Sequence, residues 1–114
     1  MTASAAVDGP IIPDYGGANV RGIVPALLGP TSWETSLPTW MPACVSPARA
    51  VVVLVLDGLG WDQLQDHRHV MPTVAAMDGG PIHTVAPTTT ATALTSITTG
   101  LTPAEHGLVG YRIA

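Results

Sequence analysis

The sequence predicts an α/β fold in which helices cover both faces of a doubly wound, mainly parallel sheet, and three observations carry that expectation. Residues 50–56, Ala-Val-Val-Val-Leu-Val-Leu, are apolar without alternation, as suits a strand covered on both faces. The run stops at Asp57-Gly58-Leu59-Gly60 and a helical stretch follows. A second candidate strand, 82–86, ends in the hydroxyl-rich Pro87-Thr88-Thr89-Thr90 before another helical stretch. Open sheets of this kind bind ligands in the crevice beyond the carboxyl ends of their strands, so Asp57 and the threonines stand where chemistry belongs. Together they suggest metal-assisted chemistry on a phosphoester.

The first unit, residues 1–49, is a proline-rich arm. Pro10, Pro13, Pro25, Pro30, Pro38, Pro42 and Pro47 exclude long helices and central strands. Within it, residues 19–29 suit a short helix stopped by Gly29 and Pro30, with its apolar residues docked on the outside of the main sheet. Trp33 and Trp40 read as packing residues. No export leader is visible in the first eight residues, and the 50–56 run is far shorter than the ~20 residues needed to cross a bilayer. The expected location is the cytoplasm.

The second unit, residues 50–114, carries the α/β pattern. After the first strand, a helix is expected over 61–66 and another from Pro72, with proline in its first turn, ending at Gly79-Gly80. The last helix, 91–99, places small residues, Leu94 and Ile97 against a sheet, with Gly100 as its stop and Pro103 beyond. Its many threonines are poor helix formers, so packing must hold it. Two strands are too few for a doubly wound sheet built from βα units of ~30 residues. The chain, ending inside a third candidate strand over 107–114, therefore reads as the N-terminal part of a longer domain.

Composition narrows the function. The net charge is −4, and the only cationic residues, Arg21, Arg49, Arg68 and Arg112, are scattered; no nucleic-acid footprint results. The single cysteine, Cys44, excludes an internal disulfide and cysteine-rich zinc sites, and reads as a small inert apolar residue. The stretch from Gly58 to Gln63 begins like a dinucleotide fingerprint, but Gln63 stands where that motif needs Gly or Ala. His67 and His69 fall in a polar stretch and read as surface residues, while His83 belongs to the core or edge of the second strand.

Two residues remain as candidates. Asp57 at a strand end, with Gly58 and Gly60 leaving room beside it, suits a divalent-cation ligand; equally, it suits a turn or helix cap. Thr90, at or next to a helix N-terminus, suits a nucleophile activated by a cation and by backbone N–H groups. Alternatively, Thr88, Thr89, Thr90 and Thr92 simply cap the helix.

At this point the residues match a known pattern. Val55-Leu56-Asp57-Gly58, Pro87-Thr88-Thr89-Thr90 and Thr99-Gly100-Leu101-Thr102-Pro103-Ala104-Glu105-His106-Gly107 resemble the type I phosphodiesterase/nucleotide pyrophosphatase family of the alkaline phosphatase superfamily. The resemblance spans about residues 50–111 and leaves the arm unexplained. It implies an alkaline-phosphatase-like sheet and a phosphoester substrate of small-molecule type, such as a nucleotide. It also implies a site of two divalent ions, zinc in the family, with Asp57 and Thr90 as ligands of one. Thr90 then attacks phosphorus, and water resolves the phosphothreonine formed.

Departures accompany the match. The family's phosphoryl-holding Asn falls at Ala93, and the remaining Asp and His ligands belong to a C-terminal part not matched here, so this stretch alone is expected to be nearly inactive. His106 matches a position read as structural. Cofactor-independent phosphoglycerate mutase and phosphonoacetate hydrolase are related branches with a similar strand and Asp-Gly-x-Gly turn, and they stand as alternatives. So does a non-catalytic relative that offers an apolar face to a partner.

Overall fold

The computed structural model describes residues 9–28 and 37–110. A 3-10 turn, Val20–Gly22, runs into α1 (Ile23–Leu28); a second such turn, Ala43–Val45, precedes α2 (Trp61–Asp66), α3 (Pro72–Ala75), α4 (Thr90–Thr99) and α5 (Pro103–His106). Trp33, the Gly29-Pro30 stop and residues 111–114 of the third candidate strand lie outside the described residues.

Local chemistry accounts for the helix limits. Residues 56–59 form a turn closed by the Leu59 N–H donating to the Leu56 carbonyl at 3.2 Å, with Gly58 at φ +79°. A positive φ at this third position suits glycine, and the turn delivers the chain to α2 at Trp61. Pro72 opens α3, as expected, but the helix closes at Ala75, well before Gly79. There the Arg68 guanidinium donates to the Ala75 carbonyl at 3.1 Å, a cation at a helix C-terminus.

The longest described helix, α4, runs from Thr90 to a left-handed Gly100 at φ +73°. Three of its hydroxyls are satisfied within the helix: Thr95, Thr98 and Thr99 donate to the carbonyls of Ala91, Leu94 and Thr95 at 2.7, 2.8 and 2.6 Å. Such back-bonding satisfies the hydroxyl without strengthening the helix. Its stability rests on packing against the Val20–Gly22 turn and α1. That seam holds most of the buried side chains among the described residues: Ala26 and Ile97 with Val85, and the polar Asn19, Thr92 and Ser96.

Among the described residues the arm thus packs on α4. Its route is fixed by a parallel bridge between Asn19 and His83, in which Val20 N–H donates to the His83 carbonyl and His83 N–H to the Ala18 carbonyl, at 2.9 and 2.8 Å. Trp40 is indeed a packing residue: a Cβ on Gly22 would stand 2.9 Å from its ring.

Residues 50–56 form no ladder, and the second candidate strand contributes only the bridge at His83; among the described residues no other β pairing occurs. Exposure nevertheless alternates from Val51 to Val55, after which Leu56, at 46%, breaks the pattern. Val51, Val53 and Val55 are 45, 42 and 43% exposed, whereas Val52 and Leu54 are 90 and 75% exposed, the period of two expected of a pleated chain. Both faces and edges lack the cover that so apolar a run requires. Cys44 is exposed and not packed away, and His67 and His69 are exposed as expected. Among the described residues no helix is long and apolar enough to cross a membrane.

Candidate active site

The two residues singled out by the sequence meet. The Thr90 hydroxyl donates to Asp57 Oδ2 at 2.7 Å, across a sequence separation of 33 residues. Asp57 owes its place to the 56–59 turn, and Thr90 is the first residue of α4. Neither acts as a helix cap. The residue preceding α2 is Gly60, which has no side chain to offer, and at the start of α4 Thr89 makes no side-chain cap bond. Instead, Thr89 Oγ1 and the buried Thr92 Oγ1 share a hydrogen bond of 2.8 Å. Thr90 alone of this cluster presents its hydroxyl to the carboxylate.

The surroundings suit an anionic ligand. Thr88, Thr89, Thr90, Ala91 and Leu94 line an open depression of about 650 Å3, within the range of small-molecule sites. The first-turn N–H groups of α4 have no carbonyl partner within the helix, and its N-terminus carries partial positive charge. Ala93, the position where the resemblance calls for Asn, is half-buried and offers no side-chain donor.

Behind the site, His106 fixes α4 to α5. The Leu108 N–H donates to His106 Nδ1 at 3.0 Å, so the neutral ring carries its proton on Nε2 and donates it to Ser96 Oγ at 2.9 Å. Ser96 is fully buried. Both ring nitrogens are thus used within the fold. Glu105 reaches back to the Thr102 N–H at 2.7 Å, the acidic half of a capping box. That N–H, with the Thr102 hydroxyl and the nearby Arg21 and His106, lowers its pKa from the ordinary value. His83 is engaged with the arm: its Nδ1 accepts from the Asp14 N–H at 2.9 Å.

A carboxylate and a hydroxyl are hard oxygen donors that suit one edge of a divalent-cation site. They do not complete one: among the described residues no three His, Cys, Asp or Glu side chains converge, and catalytic zinc takes three protein ligands as a rule.

With this geometry in place, the comparison with known families is decisive at the level of class. The model of the type I phosphodiesterase/nucleotide pyrophosphatase family matches residues 51–114, more than half of the chain. The chain belongs to that family. No curated protein and no solved structure shows a significant match to it.

Sequence reasoning missed Arg21, Asn19 and Tyr15, which hold from the arm the end of α4 and the segment leading into it. Arg21 Nε donates to the Gly100 carbonyl at 2.9 Å, and Asn19, fully buried, donates to the Thr84 carbonyl at 3.2 Å. The partners of Arg21 and Asn19 lie 79 and 65 residues away, a distance over which no local pattern speaks. The one available signal was Asn19 placed directly before a helical stretch, a cap residue.

Proposed function

We propose that the complete protein hydrolyses phosphodiester or pyrophosphate bonds of small molecules, nucleotides among them, with Thr90 as nucleophile. Residues 50–56 and 82–86 then serve as strands of a doubly wound parallel sheet to which further polypeptide adds the rest. The observation that carries the reading is the 2.7 Å bond from the Thr90 hydroxyl to Asp57 Oδ2. It joins a hydroxyl at a helix start to a carboxylate that can hold its proton.

In this reading Thr90 Oγ1 attacks phosphorus in line with the leaving oxygen, and the P–O bond to that oxygen breaks with its electron pair. Asp57 orients the hydroxyl and holds its proton at Oδ2. The first-turn N–H groups of α4 stabilise the negative charge on the phosphoryl oxygens. Water then cleaves the phosphothreonine and frees Thr90. Two divalent ions, zinc by family resemblance, would supply Lewis acidity at the phosphoryl oxygens; of this chain's residues, Asp57 and Thr90 would be ligands, the others coming from outside it.

The test is hydrolysis of a chromogenic phosphodiester by the complete gene product. Thr90→Ala is expected to abolish turnover and preserve the far-ultraviolet circular dichroism. Wild-type turnover in that variant would defeat the nucleophile assignment, whereas no turnover in the wild-type protein itself would favour the non-catalytic reading.

A further inference from the structure

We propose that Arg21 is a positioning residue for Thr90, acting through a clamp that the arm places on the segment carrying the nucleophile; this rests on the reading of Thr90 given above. The family match begins at residue 51 and gives the arm no role. The contacts do. The Arg21 guanidinium lies between two carbonyls, with Nε donating to Gly100 at 2.9 Å and Nη1 to Tyr15 at 2.6 Å. Tyr15 in turn accepts, at its phenolic oxygen, the Ala86 N–H at 3.1 Å.

These bonds close a ring. It runs along α4 from Thr90 to Gly100, crosses Arg21 to Tyr15, crosses again to Ala86, and returns through residues 87–89 to Thr90. A cation that merely capped α4 would need only the Gly100 carbonyl. The second bond, to the main chain of the residue whose phenolic oxygen grips Ala86 ahead of Thr90, ties both ends of the segment to the Arg21–Tyr15 pair. Asn19 reinforces the same join: Nδ2 holds the Thr84 carbonyl while Oδ1 accepts the backbone N–H of Arg21 at 3.1 Å.

Geometry sets the sensitivity. The ten residues of α4 span ~15 Å at 1.5 Å per residue, so a swing of ~4° about the Gly100 end shifts Thr90 by ~1 Å. A misplacement of that size can cost about 100-fold in rate. Lysine at position 21 would keep a cation beside the helix C-terminus yet cannot span both carbonyls as the guanidinium does.

The experiment compares Arg21→Lys and Tyr15→Phe with wild type in the complete gene product, by diester kinetics and thermal melting. Arg21→Lys is expected to lower kcat by about tenfold or more with KM unchanged and melting little altered, and Tyr15→Phe to act in the same direction more weakly. In the complete gene product, the nuclear Overhauser contact between the Thr90 methyl and the Asp57 β protons should weaken in both variants. Wild-type kcat in both variants overturns the proposal, as does an unchanged contact. If Thr90→Ala itself retains turnover, the proposed function fails, and the Overhauser contact alone then decides whether the clamp exists.

Discussion

Gly100 and Gly107 form a matched pair that measures how tightly the arm is pressed on α4. Both close helices in the left-handed region, at φ +73° and +76°. A Cβ on Gly107 would meet nothing within 4 Å, whereas one on Gly100 would run into Cγ of Pro25 in α1 and lie 3.5 Å from the Arg21 carbonyl. An L-residue in this conformation costs roughly 1–2 kcal/mol, partly offset by a loss of about 0.4–1 kcal/mol of unfolded-chain freedom. Gly107→Ala should therefore destabilise by only ~0.5–1 kcal/mol. Gly100→Ala adds the displacement of a proline ring in a packed seam, about 1–3 kcal/mol more. Urea unfolding at constant m reads the difference directly. Equal midpoints for the two variants would mean that α1 does not rest on the end of α4, and the clamp would lose its foundation.

Ser96→Ala should cost about 1–3 kcal/mol, because it strands the His106 Nε2–H against a buried surface; a neutral urea midpoint would contradict the tautomer assigned here. Glu105 titrates lower in the folded chain than in the unfolded one, so its support of α5 is complete above the ordinary value of 4.5 and is lost as pH falls through the lowered folded value. The amide resonance of Thr102, which donates to Glu105, should accordingly move as pH falls through that lowered value. Asp57→Asn in the complete gene product should reduce bound zinc and turnover together by at least about tenfold, since even outer partners of metal ligands are worth 10–100-fold; unchanged metal content by elemental analysis would remove Asp57 from the ligand set.

Short-range chemistry was legible and long-range packing was not. The helix at 61–66 was bounded from its Gly-rich start, and α4 from its Thr cluster and Gly100, because caps and stops act within a few residues. Asp57 and Thr90 were paired through the family pattern, and their 2.7 Å contact agrees with that pairing while leaving their catalytic roles to experiment. The arm's contact with α4 is not legible because Arg21 looks, in sequence, like one of four scattered charges; only its bond to Gly100 reveals its use. Residues 50–56 read as a strand from apolarity and β-branching, and exposure alternates from Val51 to Val55 as on a pleated path. Ladder pairing, however, depends on a neighbour that no single run of sequence specifies.

The uncharged run at 51–56 also bears on how the polypeptide is handled before it is finished. Six residues of high β-propensity without proline, glycine or charge are a template for stacking with identical copies, and slow non-local pairing leaves such a template bare during synthesis. Yield in a recombinant host should fall with expression rate for that reason. Val52, the most solvent-facing residue of the run at 90% exposed, is where a lysine gatekeeper would interrupt stacking while disturbing the fewest neighbours.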